Sequence, residues 1–304
     1  MQEGCFSFQL ELAGPLDIPA SLELFRRHGD DLLDRWDGVT MTRALRIGDE
    51  VIPYTAISVG SLEAPALLVR TPSLASKDAV ASAIRATFLM PPSSYLALLR
   101  ADPALAELDT RFHGVRTVRQ FDLFAALVRC VSAQQVNLRW ATTTRRRLAE
   151  SLGERHTVGG AAVYSLDPAR VARASASELR ALQFTTRKAE YIIGIARAIA
   201  DGRLERPTLA ALPDAEVIAR LTAIRGVGRW SAEWILARTL GRPVVAAGDL
   251  AVRKGVGRYY LGLPPKALLP SEEETRRAVA HWGESAGVAQ TLLLAGITTD
   301  AAGG

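Results

Sequence analysis

Between Cys5 and Pro72 apolar and polar residues alternate in four short runs, CFSFQLEL, TMTRALRI, YTAISVGS and PALLVRTP, bounded by Gly, Pro or Asp. Alternation with period 2 puts successive side chains on opposite faces of an extended chain, so these runs predict antiparallel strands. Ser21 to Trp36 departs from that pattern and predicts a helix with Ser21 as its N-cap. From about Thr117 the period lengthens. Phe121, Phe124, Ala125, Val128 and Val131 recur at the spacing of one helical face. Further helices are predicted over Leu138–Leu152, Ala176–Leu182, Lys188–Asp201, Asp214–Ala223, Trp230–Leu240, Leu250–Tyr260, Glu272–Trp282 and Val288–Ala295, with almost no strand between them. Pro168, Pro207, Pro213, Pro243 and Pro264 punctuate the joins, and Asp167 and Asp214 stand beside two of them. The tail ITTDAAGG is small and polar and is expected to fray.

The pattern defines an α+β chain: an amino-terminal antiparallel-sheet domain over residues 1–112, then a helical part over 113–304. With 304 residues, 48% of them apolar and 23% charged, the chain can bury a large core, which excludes disordered and collagen-like classes. No apolar run is long enough to span a bilayer, and MQEGCFSFQLEL carries acids where a secretory signal needs bases, so a cytoplasmic protein is expected. Cys5 and Cys130 are too few and too far apart for a metal knuckle, an iron-sulfur cluster or a disulfide framework. His28, His113, His156 and His281 are scattered, without the short helical spacing of metal ligands.

Charge sharpens the division. Residues 1–110 hold 9 basic and 15 acidic residues, whereas residues 111–304 hold 28 basic and 17 acidic, and nearly all of those cations are arginine. Arginine's planar fork of donors suits phosphate oxygens, though the same bias also fits a solvated surface.

The stretch from Leu221 to Asp249 carries the chemistry. Gly226-Val227-Gly228 sits between two helical patterns, where glycines allow a tight turn and leave backbone N–H groups open to a phosphate. Seven cations from Arg225 to Arg258 face only Glu233 and Asp249 in the same interval. Gly226, Gly228 and Arg229 are therefore candidate phosphate contacts. Asp249 precedes LAVRKG and reads as a helix N-cap; a carboxylate there can also serve as an electrostatic catalyst, and the two roles are compatible. Trp230 and Trp234, four residues apart, share one helix face, as core or as the wall of a pocket. Gln134 and Gln135 follow a helix, as a solvated end or as an inserting loop.

LTAIRGVGRWSAEWI, followed by LGRP and by an aspartate before LAVRKG, resembles the helix-hairpin-helix DNA glycosylases, and among them the DNA-3-methyladenine glycosylase II type. LDTRFHGVR (108–116), VSAQQV (131–136) and FTTRKAEYIIGIA (184–196) match in the same order. The resemblance implies a two-lobed helical core, a hairpin at about 221–234 and an active site between the lobes. Asp249 falls at the family's catalytic aspartate, and Trp230 and Trp234 at positions lining the pocket for a flipped base. There an indole face attracts a desolvated cationic purine by up to about 2 kcal/mol. Strand-cutting relatives carry a nucleophilic lysine where this chain has Trp230, so no Schiff base can form and a monofunctional enzyme is implied. Gln134 and Gln135 match the loop that fills the gap left by the extruded nucleotide, with Gln135 where the family type has leucine. By ungapped count Leu294 replaces a further pocket tryptophan, and Trp282 falls elsewhere. Main-chain carbonyls of Thr222, Ile224 and Val227 would hold a structural sodium or potassium ion, with no catalytic cofactor. Arg187 and Lys188 are expected on the outer surface. The implied activity is hydrolytic release of alkylated purines (3-methyladenine, 7-methylguanine or ethenoadenine), and of the deaminated purine hypoxanthine, from double-stranded DNA in base excision repair, by a monomer without an obligate protein partner; the acidic balance of the amino-terminal unit suggests that it mainly supports the core. The alternatives are a non-catalytic module that binds DNA structure and a glycosylase of different base specificity.

Overall fold

The computed structural model describes residues 5–48, 50–264 and 266–302, so Met1–Gly4 and the last two residues of the tail, Gly303 and Gly304, lie outside the described residues. Five strands, β1 (Phe6–Glu11), β2 (Arg35–Trp36), β3 (Thr40–Ile47), β4 (Glu50–Ser58) and β5 (Ala66–Thr71), form one antiparallel sheet in the order β1-β5-β4-β3-β2. The helix Lys77–Thr87, which strand-type alternation does not anticipate, adds Val80, Ala81 and Ile84 to a core that also holds Leu10, Met41, Ile52, Leu67 and Val69. A short pair, β6 (Phe88–Leu89) with β7 (Thr117–Val118), joins this unit to the helical part of the chain.

The helix expected over Ser21–Trp36 is not formed as such. Asp17 caps a short helix, Ile18–Leu22, by accepting the Ala20 N–H at 2.9 Å, and a 3-10 turn over Glu23–Phe25 comes next. Ser21 is buried instead: its hydroxyl donates to the Asp17 carbonyl and accepts the Arg116 N–H at 2.9 Å. Gly29 then turns the chain at φ +105°, and Asp30 and Asp31 take the N–H groups of Leu32 and Leu33, so no further helical turn can close before β2.

Two helical lobes complete the molecule. One gathers Leu123–Ala133, Leu138–Leu152, Thr186–Ala200, Asp214–Thr222 and Arg229–Trp234 around a core containing Phe124, Leu127, Leu148, Ile192 and Leu236. Phe121 precedes the first of these helices, whose N-cap is Asp122. The other lobe packs Leu250–Tyr260 and Ala286–Ala302 with Tyr95, Leu105 and Leu108, which come from the helices Tyr95–Ala101 and Pro103–Arg111. These two helices precede residue 112 yet share a core with the carboxy-terminal ones, so the packing does not follow a division at 112/113.

Two further expectations differ from the structure. Strands β8 (Gly153–Val158) and β9 (Ala161–Leu166) form a hairpin inside the helical part, turned by Gly159 and Gly160, both at positive φ. The hairpin docks on the sheet unit through the Tyr164 N–H, which donates to the Leu32 carbonyl at 2.8 Å. The last helix also runs through Ala302 rather than fraying from Ile297, because Asp300 accepts hydrogen bonds from Tyr259 Oη at 2.6 Å and Arg111 at 2.8 Å.

Candidate active site

The helices Asp214–Thr222 and Arg229–Trp234 form a hairpin around Gly226, whose φ of +93° favours glycine. A Cβ there would lie 2.2 Å from Tyr191 Cγ, so the turn is also pressed against the helix Thr186–Ala200. The Gly226 carbonyl accepts Gln134 Nε2 at 2.9 Å, and Lys188 Nζ donates to the Ser132 carbonyl at 2.9 Å. Both bonds hold the end of the helix Leu123–Ala133, and they give the two glutamines different roles. Gln134 ties its loop to the hairpin, whereas Gln135, exposed at φ +54°, stands clear of it. Lys188 thus turns inward rather than lying on the outer surface, and burial lowers its pKa, while Arg187 is exposed.

Asp249 stands at the opening of the other lobe. Its Oδ1 accepts the N–H groups of Ala251 at 2.8 Å and Val252 at 3.1 Å, the capping geometry expected of a helix start. Its Oδ2 accepts the indole N–H of Trp230 at 3.0 Å and of Trp234 at 3.3 Å. Helix start and tryptophan pair, from opposite lobes, are therefore joined through one carboxylate. The two indoles meet edge to face, with centroids 6.4 Å apart and planes at 76°.

Asp249, Trp230 and Trp234 line a cavity of about 200 Å³ walled mainly by the hairpin lobe and the amino-terminal unit, with Asp249 contributed by the start of the other lobe. Its other walls include Phe25 and His28 from the amino-terminal unit, Cys130, and three arginines that no sequence motif places here, Arg129, Arg145 and Arg238. Burial and neighbouring arginines hold His28 below the usual histidine range, and burial pushes the Cys130 thiol up to about 12. Arg129 and Arg145 share Asp31, at 2.9 and 2.8 Å to its Oδ2. Burial would raise the Asp31 carboxyl, but these two guanidiniums and the Leu33 N–H hold it at about 2. Arg238 differs: no carboxylate among the described residues pairs with it, its Nε has no partner in the protein, and its guanidinium lies 4.9 Å from the Trp234 ring centroid. Burial lowers it to about 10, opposed by the charge of Asp249. In the sequence Arg238 falls among the cations suited to phosphate, yet it is only 8% exposed. Its position four residues after Trp234, on a continuing helical face, is the signal the sequence offers. That signal is masked because a turn of π-helix over Ile235–Leu240 follows the helix.

Other expected residues lie apart from the cavity. Leu294 packs at the edge of the second lobe's core. Trp282 is buried there, its indole donating to Asp102 Oδ2 and Tyr260 Oη. Gly228 is the exposed N-cap of Arg229–Trp234, and Arg229 is 59% exposed while bonded to the buried Glu233 at 2.9 Å. The Ile224 carbonyl accepts the Val227 N–H at 3.0 Å and keeps a second lone pair. With Thr222 and Val227 it supplies hard oxygen donors within one turn, a set that fits a sodium or potassium ion.

This geometry, a glycine-turned helical hairpin beside a part-open cavity walled by two tryptophans and an aspartate, defines a helix-hairpin-helix protein with a pocket next to its hairpin. Residues 128–284 match the model of the HhH-GPD superfamily of base excision DNA repair proteins, more than half of the chain, and the chain belongs to that family. It is 35% identical over 147 residues to the DNA-3-methyladenine glycosylase of Bacillus subtilis (strain 168), a match covering 48% of each sequence. The match spans about half the length of that curated relative. A 3-methyladenine DNA-glycosylase structure from Archaeoglobus fulgidus superposes with a TM-score of 0.80 at 22% identity, over 94% of this chain and 97% of that one. The Clostridium acetobutylicum 8-oxoguanine glycosylase/lyase with double-stranded DNA superposes at 0.72 with 16% identity, over 95% and 93%. At these identities the likeness shows the fold. Among the described residues no helix is long and apolar enough to cross a membrane.

Proposed function

We propose that the protein is a monofunctional DNA glycosylase that releases alkylated purines from double-stranded DNA and leaves an abasic site, acting as a monomer in the cytoplasm. The observation that carries this reading is the Asp249 carboxylate, held by four N–H donors at the wall of the cavity. Non-catalytic binding of phosphates requires no such carboxylate.

In this reading the hairpin and exposed arginines such as Arg229 bind phosphates, and the flipped nucleotide enters the cavity while Gln135 occupies the gap it leaves. As the C1′–N bond lengthens, positive charge builds on the sugar and Asp249, fixed in one rotamer by the two indoles, stabilises it. Water then adds to C1′. The position from which strand-cutting relatives attack holds Trp230, which has no amine for a Schiff base. A sodium or potassium ion at the carbonyls of Thr222, Ile224 and Val227 would add positive charge beside a phosphate.

The test incubates the protein with duplexes carrying 3-methyladenine, 7-methylguanine, ethenoadenine or hypoxanthine and scores released base separately from strand breaks. Base release with breaks appearing only after alkali is expected. Breaks without alkali would refute the monofunctional reading, and tight binding without release would move the protein to the non-catalytic alternative.

A further inference from the structure

Three arginines line the cavity, and the fold treats them differently. Arg129 and Arg145 are both paired with Asp31, and Arg129 also reaches Asp34 at 3.5 Å. Arg238, 8% exposed, has no such carboxylate among the described residues, and its Nε is left without a protein partner. Thr239 beside it is fully buried, also lines the cavity, and its Oγ1 likewise has no partner. Donors buried without acceptors are costly, and these two differ from the other unpartnered polar atoms of the described residues in lining the cavity, where a bound base can complete them. The guanidinium also covers a face of Trp234, so that face is closed to a cationic base.

We propose that Arg238, with Thr239, sets the substrate class of the pocket: purines that are uncharged before cleavage and present a hydrogen-bond acceptor, such as hypoxanthine or ethenoadenine, over purines that are already cationic. This rests on the base-release reading above. Arg238 and Asp249 together bring about zero net charge to the cavity, so a neutral base keeps that balance, whereas a cationic base adds an unmatched positive charge in a desolvated space. The leaving group points the same way. When C1′–N breaks, the electron pair goes to the base; a cationic purine departs neutral, but a neutral purine departs as an anion until it takes the proton lost by the water that adds its hydroxyl to C1′. A fixed guanidinium beside the base stabilises that developing anion, and only for the neutral class is there such charge to stabilise.

The experiment compares wild type, Arg238→Gln and Arg238→Lys on identical duplexes carrying hypoxanthine, ethenoadenine or 7-methylguanine, with kcat/KM measured for each. The ratio of neutral-base to cationic-base release is expected to fall at least tenfold in Arg238→Gln and less in Arg238→Lys, which keeps the charge but loses the fork. Two variants of differing size and charge keep the test open should one fail to fold. A proportional loss on all substrates, leaving the ratio unchanged, overturns the proposal while the glycosylase reading stands; so does a wild type that releases only 7-methylguanine. A wild type that releases nothing overturns the glycosylase reading, and this proposal with it.

Discussion

The indole N–H of Trp230 donates to Asp249 Oδ2 at 3.0 Å across a separation of 19 residues, linking the hairpin's second helix to the N-cap of a helix in the other lobe. Trp234 repeats the bond at 3.3 Å. The carboxylate is thereby aimed into the cavity by groups from both lobes, and its capping role and its proposed electrostatic role occupy different oxygens. Trp230→Phe keeps most of the ring but removes the donor. Loss of a hydrogen bond to a charged group costs about 1.5–3 kcal/mol, so kcat for base release should fall about 10- to 100-fold, with KM changed less. Single-turnover kinetics on one lesion duplex checks this.

Asp31 is 3% exposed and faces Arg129 and Arg145. Its carboxyl is held at about 2 against an ordinary 3.8, so the stability it contributes is present above about pH 4 and lost as pH falls toward 2. The shift corresponds to about 2 kcal/mol. Asp31→Asn leaves Arg145 buried without its carboxylate and should cost about 3–5 kcal/mol at neutral pH. Urea unfolding of both proteins from pH 7 to pH 2 should show the gap narrowing across that acid window.

Gly226 has two reasons to be glycine, its φ of +93° and the distance of 2.2 Å at which a Cβ would meet Tyr191 Cγ. Gly226→Ala should destabilise the protein by about 2–4 kcal/mol through strain and overpacking together. Adding Tyr191→Ala should relieve the overpacking but not the strained φ. Thermal unfolding of the single and double variants separates the two contributions.

Gln135 adopts a φ of +54° in an exposed loop, a conformation costing a non-glycine residue about 1–2 kcal/mol. Gln135→Gly should therefore hold or raise stability while lowering base release, since the side chain proposed to fill the gap is gone. Paired melting curves and release assays check both halves; unchanged release would show that Gln135 is not the wedge.

Much of this site is legible in the residues because short-range chemistry dictates it. Asp249 before LAVRKG, Asn137 before Leu138 and Ser271 before Glu272 each cap the helix that comes next, and the Trp230 to Trp234 spacing places both indoles on one face. The remainder depends on partners distant in sequence. Phe25 and His28 reach the cavity only because Gly29 and the Asp30-Asp31 pair stop a helix and fold the amino-terminal unit against the hairpin lobe. The Gly159-Gly160 turn is a strand signal hidden among helical patterns, and helices 95–101 and 103–111 join the far lobe through side chains that no local period marks. Arg238 has the spacing of a pocket residue and the charge of a surface one. Its burial decides between them.

A catalytic role for Asp249 is tested most directly by Asp249→Asn. Asparagine is as good an N-cap as aspartate, but its Nδ2 would meet the Trp230 and Trp234 N–H groups as a third donor, so the fold should persist with a lowered melting temperature. Unchanged affinity for lesion DNA is expected, together with a loss of base release of about 10²- to 10⁴-fold, the scale of removing an electrostatic contact made to the transition state. Base release by Asp249→Asn at the wild-type rate would contradict that role.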